Sequence, residues 1–152
     1  MIAVEALKAA RLDFRLIEHA PVKSLQEAAA ARGVAIPDVV KTIVVRRGDD
    51  DFLLVLVPGD RVISWPKLRA LLGVGRLSMP DAATAFEATG YERGTITPFG
   101  SKREWPVIAD ERLAGREITL GSGAHNVAIA LSADAAFEAL AATVADVSDA
   151  AV

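Results

Sequence analysis

The chain has no cysteine. That absence removes disulfides, a thiol nucleophile and thiolate metal sites together. It fits a cytoplasmic setting, which is the expected location. Histidine occurs only twice, as His19 and His125, and neither has a ligand-spaced partner. No metal site and no cofactor are expected. No apolar run reaches the roughly 18 residues a membrane helix needs. The N-terminal MIAVEALKAAR carries an early acid and reads as an amphipathic helix, not a signal peptide. A net charge of −3 excludes a general nucleic-acid coat, so any such partner must meet a small local patch. Aromatic residues are scarce, and alanine supplies much of the apolar content. The familiar catalytic signatures are missing too: no G-x-S-x-G, no P-loop, no H-E-x-x-H.

What remains is an ordinary globular composition over 152 residues, enough for a single domain with one sizeable core. The local signals give an α+β order. Residues 4–12 read as a helix and 14–17 as a short strand. Ser24 and Glu27 make an S-x-x-E capping box, and Gly33 stops the helix that follows. Residues 43–47 and 52–57 flank GDDD and read as a β-hairpin. Ser64 caps a helix over 66–72, and a further helix spans 81–89, closed by Gly90. Strands are expected near Val107, Ile118 and 127–131. Ser132 caps a last helix over 133–140, and 144–147 is a final short strand. Helices and strands do not alternate regularly. The expected fold is therefore α+β, with a mixed and largely antiparallel curved sheet or barrel flanked by helices.

Two segments could carry chemistry. Lys41 stands in DVVKTIVVRR, at the start of an apolar strand. Its ammonium either snorkels to water or points into a cleft as a fixed positive charge. The second segment is TGYERGTITPFG, residues 89–100, a long loop between a helical and a strand pattern. Gly90 and Gly94 could shape a surface turn. Alternatively, Gly94 brings its main chain close to a ligand and presents an N–H, with Pro98 stiffening the far side. Neither segment decides between its readings alone.

The chain resembles YbaK/EbsC-type proteins, relatives of the editing domain inserted in bacterial prolyl-tRNA synthetases. The resemblance rests on EHAP (18–21), QEAAAARG (26–33), VVKTIVV (39–45), VPGD (57–60), TGYERGTITPFG and GSGAHN (121–126), in that order. It covers nearly the whole chain and implies one editing domain over 1–152. It also implies a freestanding deacylase that hydrolyses a wrong amino acid from tRNA, typically alanine or cysteine on a proline tRNA. The partner is the acceptor end of a mischarged tRNA, with a prolyl-tRNA synthetase as a further candidate; monomer and homodimer both stay open.

Site roles follow from the same resemblance. Lys41 matches the lysine that helps hold the terminal nucleotide and the ester. Gly94 and Pro98 match the G-x-x-x-P loop whose main chain holds the aminoacyl group. Thr42, Thr95, Ile96 and Thr97 lie inside these motifs as substrate-binding positions. Ser122 and Gly123 match the small residues of the last motif. His125 and Asn126 stand where some branches carry a basic pair, which leaves the edited amino acid open. Asn126 is the better candidate for gripping the substrate, and His125 more plausibly orders the turn than activates water. Arg93, Lys102 and Arg103 are placed to meet tRNA phosphates, or form a solvated loop edge. An aminoacyl ester is already activated, so a held water and a polarised carbonyl suffice for its hydrolysis. The rival readings are a binding module that uses the same pocket without turnover and a regulatory protein whose pocket is vestigial.

Overall fold

A computed structural model describes residues 1–151. Its centre is the strand pair β2 (Val40–Gly48) and β3 (Asp51–Pro58), an antiparallel hairpin closed at Asp49 and Asp50. From Phe52 to Pro58 every residue of β3 is buried. A strand covered on both faces reads as a continuous apolar run, and FLLVLVP is one.

The sheet separates two apolar layers. Val40, Val44, Leu54 and Leu56 face the larger one. It also receives Leu7 of α1 (Ile2–Ala9), Ala85 and Ala88 of α4 (Ala82–Thr89), Ile118 and Leu120 of β6 (Glu117–Gly121), Ile129 of β7 (Val127–Ser132) and Phe137 of α5 (Ala133–Ala139). Val45, Leu53, Val55 and Val57 point the other way, onto Leu68 of α3 (Trp65–Leu72) and Val147.

The helices begin and end where their caps dictate. Ser24 Oγ accepts from the Glu27 N–H at 3.0 Å and opens α2 (Leu25–Arg32). Ser64 and Ser132 do the same for α3 and α5. Asp81 opens α4, accepting from the Thr84 N–H at 2.8 Å. Each such bond satisfies a donor the first helical turn would leave unpaired.

Three sheets form, and none closes into a barrel. One has the order β1–β7–β6, where β1 is Arg15–Glu18. The second has the order β2–β3–β5–β8, with β5 at Val107–Asp110 and β8 at Thr143–Ala145. The third pairs β4 (Arg61–Ile63) with β9 (Ser148–Ala150). The arrangement is mixed because β3–β5 and β5–β8 run parallel. A parallel pair needs a long crossover, and α3, α4 and the 89–100 loop supply it between β3 and β5. The expected last strand is two strands: the chain bends at Asp146 and Val147, so β8 joins the central sheet and β9 joins β4. No helix among the described residues is long and apolar enough to cross a membrane.

Candidate active site

One long side of β2 has no strand beside it. Its two ends are closed by isolated bridges, Val39 to Thr119 and Arg46 to Ser78. Arg46 and Ser78 exchange both main-chain hydrogen bonds, at 2.7 and 3.1 Å. The main-chain groups of Arg46 therefore point away from β3, and strand alternation turns those of Val44 and Thr42 the same way. Between the bridges the edge is open. β3 does not take the Thr42 or Val44 N–H, and no other strand pairs with β2 on this side.

A cavity of about 330 Å³ lies against this edge. One wall is the α2 face bearing Leu25, Ala28 and Arg32, at the three- and four-residue spacing of a single helix face. A second is the chain from Met79 to Ala82 with Ala85 of α4. The third is the loop at Arg93, Gly94 and Ile96, backed by Gly121 at the end of β6. Four of the residues singled out in the sequence besides Lys41 therefore meet here: Thr42, Arg93, Gly94 and Ile96.

The loop is held from behind. Thr95 donates its N–H and its hydroxyl to the Glu92 carbonyl, at 3.0 and 2.7 Å, and its own carbonyl accepts from the Gly123 N–H at 2.8 Å. Gly121 lies so near that a Cβ there would sit 2.8 Å from the Ile96 carbonyl oxygen and 2.9 Å from that of Thr95. Tyr91, itself buried, donates from its hydroxyl to the Phe99 carbonyl at 2.5 Å and closes the loop on itself. Gly94 has φ +86° and an open space where a side chain would go. The Gly94 and Ile96 N–H groups find no acceptor among the described residues.

Lys41 borders the cavity, but its ammonium is engaged elsewhere. Val40, Thr42 and Val44 face the larger core side of β2, so Lys41 leaves the strand on the opposite face. There Nζ donates to the Arg61 carbonyl. Burial lowers its pKa, and the nearby Asp60 carboxylate partly offsets that. The ammonium neither snorkels freely nor projects beside Thr42.

The other expected positions fall outside the cavity wall. Thr97 is buried, and its hydroxyl accepts from the Phe99 N–H at 3.4 Å. Pro98 and Phe99 line a separate hollow against α1 and Leu140. Ser122 Oγ donates to the Val127 carbonyl at 2.7 Å and accepts from the Ala124 N–H at 3.2 Å, which shapes the turn. Gly123 packs on the Tyr91 ring, where no side chain would fit. His125 Nε2 meets Glu92 Oε2 at 2.8 Å on the surface, tying the last motif to the loop. The Asn126 carbonyl accepts from the His19 N–H at 3.0 Å. Arg103 pairs with Asp50 at 2.6 Å and stacks on Trp105, while Lys102 borders a hollow beside Asp50.

Arg32 was not anticipated from the sequence. Its Nη1 donates to the buried Thr119 Oγ1 at 3.1 Å, and no carboxylate pairs with it among the described residues. Arg32 Nε and Thr42 Oγ1 are both buried without a partner. The only hint in the sequence was an alanine-rich helix face that ends in a basic residue.

The aminoacyl-tRNA editing domain family matches residues 19–138. The proline–tRNA ligase of Thermosipho africanus is 35% identical over 89 residues, which is 59% of this chain and 16% of that enzyme. The matched stretch thus covers about one sixth of such a synthetase. A solved structure of a hypothetical protein superposes with TM-score 0.90 and 30% identity, covering 98% of this chain and all of the other. A candidate trans-editing enzyme for prolyl tRNA synthetase superposes with TM-score 0.88 and 25% identity, over 97% and 95% of the two chains. A family match over most of the chain, with the same fold across nearly the whole of two solved chains, makes this protein a member of the aminoacyl-tRNA editing domain family.

Proposed function

We propose that this chain is an aminoacyl-tRNA deacylase acting in trans on mischarged tRNA of the proline type, bearing alanine or cysteine. The observation that carries this reading is one cavity bounded by two sets of unpaired main-chain donors, in a member of an editing family. One set is the Gly94–Ile96 loop, and the other is the edge of β2 that no strand covers. In the reaction, water attacks the ester carbonyl carbon. The bond from that carbon to the ribose oxygen breaks, and the ribose oxygen takes a proton. Free amino acid and tRNA are the products. The Gly94 and Ile96 N–H groups hold the carbonyl oxygen as negative charge develops on it. The neighbouring ribose hydroxyl assists the attack.

Side-chain nucleophiles have no part in this scheme. Ser122, Thr95 and Thr97 spend their hydroxyls on the main chain around them. Thr42 lines the cavity as a substrate-binding position, with its hydroxyl oxygen buried. His125, paired with Glu92 on the surface, ties the rim together. Lys41 acts on the nucleotide end only by leaving the Arg61 carbonyl.

The test is release of free amino acid from a panel of mischarged tRNAs. Turnover on alanyl- or cysteinyl-tRNA of the proline type is the expected result. Tight binding to the panel with no release would leave a binding module in place of an enzyme.

A further inference from the structure

Arg32 is an arginine in an unusual position. Its guanidinium is half-buried at the end of α2, beside a cavity whose other lining is mostly apolar. A buried charge is ordinarily paired, yet Arg32 has only one neutral hydroxyl, that of Thr119, at 3.1 Å. Its Nε is buried with nothing to donate to. The Thr42 hydroxyl, a second buried group without a partner, borders the same cavity. Leucine at position 32 would continue the apolar face of Leu25 and Ala28 without stranding a charge. The arginine is therefore costly to the free protein, and its open nitrogen, Nη2, is available to a ligand that enters the cavity.

We propose that Arg32 is the phosphate-holding residue of this cavity. In the deacylase reading, on which this assignment rests, the phosphate belongs to the terminal nucleotide of the tRNA. A guanidinium is charged at every working pH and offers a planar fork that matches two phosphate oxygens. The hydrogen bond to Thr119 fixes one arm of that fork and leaves Nη2, which has no protein partner and is not sealed off, for the ligand. A permanent cation suits a permanent anion, whereas the transient charge on the ester carbonyl is met by the main-chain donors of the Gly94 loop. Lys41 is the other cation on the strand side, and its ammonium is occupied by the Arg61 carbonyl. The substrate is thereby oriented, with its acyl group at the loop and its phosphate at α2.

The probes are adenosine 5′-monophosphate and adenosine, titrated calorimetrically into the wild-type protein and into Arg32→Leu and Arg32→Lys. The wild type should bind the monophosphate at least about tenfold more tightly than adenosine, as one charge-assisted contact allows. Arg32→Leu should bind the two alike while melting no lower than the wild type. Arg32→Lys should retain part of the preference. With intact tRNA, the salt dependence of log K for Arg32→Leu should flatten by about 0.7, the contribution of one phosphate of a single strand. Equal wild-type binding of the two probes, absence of binding by both, or an undiminished preference in Arg32→Leu would each overturn the assignment. A wild-type protein that prefers the monophosphate through Arg32 but releases no amino acid would sink the deacylase reading and leave the phosphate site standing.

Discussion

Gly121→Ala tests the site through its supporting wall. Gly121 has an ordinary backbone, so alanine adds no conformational strain there. The added methyl meets main chain instead, 2.8 Å from the Ile96 carbonyl oxygen and 2.9 Å from the Thr95 carbonyl oxygen. Ordinary contact begins near 3.4 Å. The loop must therefore move by about 0.6 Å, or β6 must move from it, since neither obstacle is a flexible side-chain end. Forced repacking of this kind costs typically 1–3 kcal/mol. For a chain of this size each of those kcal/mol lowers Tm by roughly 2–4 °C. The catalytic effect should be larger than that loss of stability implies. The same loop presents the Gly94 and Ile96 N–H groups, and a misplacement of about 1 Å can cost on the order of 100-fold in rate. On that scale, about 0.6 Å predicts a fall in kcat/KM on the order of tenfold. The assay measures amino acid release and Tm on one preparation, at a temperature where the variant is fully folded. Gly94→Ala is the control. Its methyl meets no atom within 4 Å, but its φ of +86° makes alanine strained by about 1 kcal/mol or more. It should lower Tm by a few degrees, and it should slow release further because the methyl stands beside the donor. If Gly121→Ala is folded and as active as the wild type, the loop does not set the geometry of the reaction.

Lys41→Ala should leave Tm nearly unchanged and reduce kcat/KM by about 2–4 kcal/mol of transition-state stabilisation if its ammonium reaches the substrate; a lowered Tm with full activity would make it only a tie to the Arg61 carbonyl. The salt dependence of tRNA binding should be shallow, equivalent to about 2–4 phosphates, and a much steeper slope would reveal a large basic surface. Acid stability should depend on the carboxylates beside β9. Hydrogen bonds from Arg112 and Lys67 pull Asp146 down to about 2. Burial pushes Asp110 up, but hydrogen bonds from the Ser148 hydroxyl and the Arg112 and Val147 N–H groups prevail and hold it low. Both are depressed in the folded state, so their contribution is present above the ordinary carboxylate pKa near 4 and is lost as pH falls toward 2. Thermal melts from pH 5 to 2 should show that loss, and Asp146→Asn should flatten it.

The parts of the fold that were legible in the sequence are those fixed by neighbours along the chain. Ser24, Ser64 and Ser132 cap helices because the bond they accept lies three residues away, and GDDD closes a hairpin between two runs that pair at once. The parallel pairs β3–β5 and β5–β8 were not legible. Their partners lie about 50 and 35 residues apart, and the intervening helices do not have the regular spacing of a βαβ repeat. The strand β4 was missed for a related reason: three residues pair only with β9, near the other end of the chain.

The orientation of Lys41 was hidden by the property that made its strand conspicuous. A strand with one face in water alternates apolar and polar residues, and the alternation shows which side chains share a face. VVKTIVV does not alternate, because both faces of β2 are covered. Lysine and threonine then look like adjacent members of one site, whereas a strand must send them to opposite sides. Thr42 goes toward Arg32 and the cavity, and Lys41 goes toward Arg61. Besides Arg93 of the loop, the side-chain cation that borders the Thr42 side comes from α2, nine residues before Lys41, where only the folded chain brings it against β6 through Thr119. The donors at the cavity are main-chain groups, which any residue type carries. Their availability follows from the open edge of β2 between two bridges and from the positive φ of Gly94, and of these only the glycine leaves a trace in the sequence.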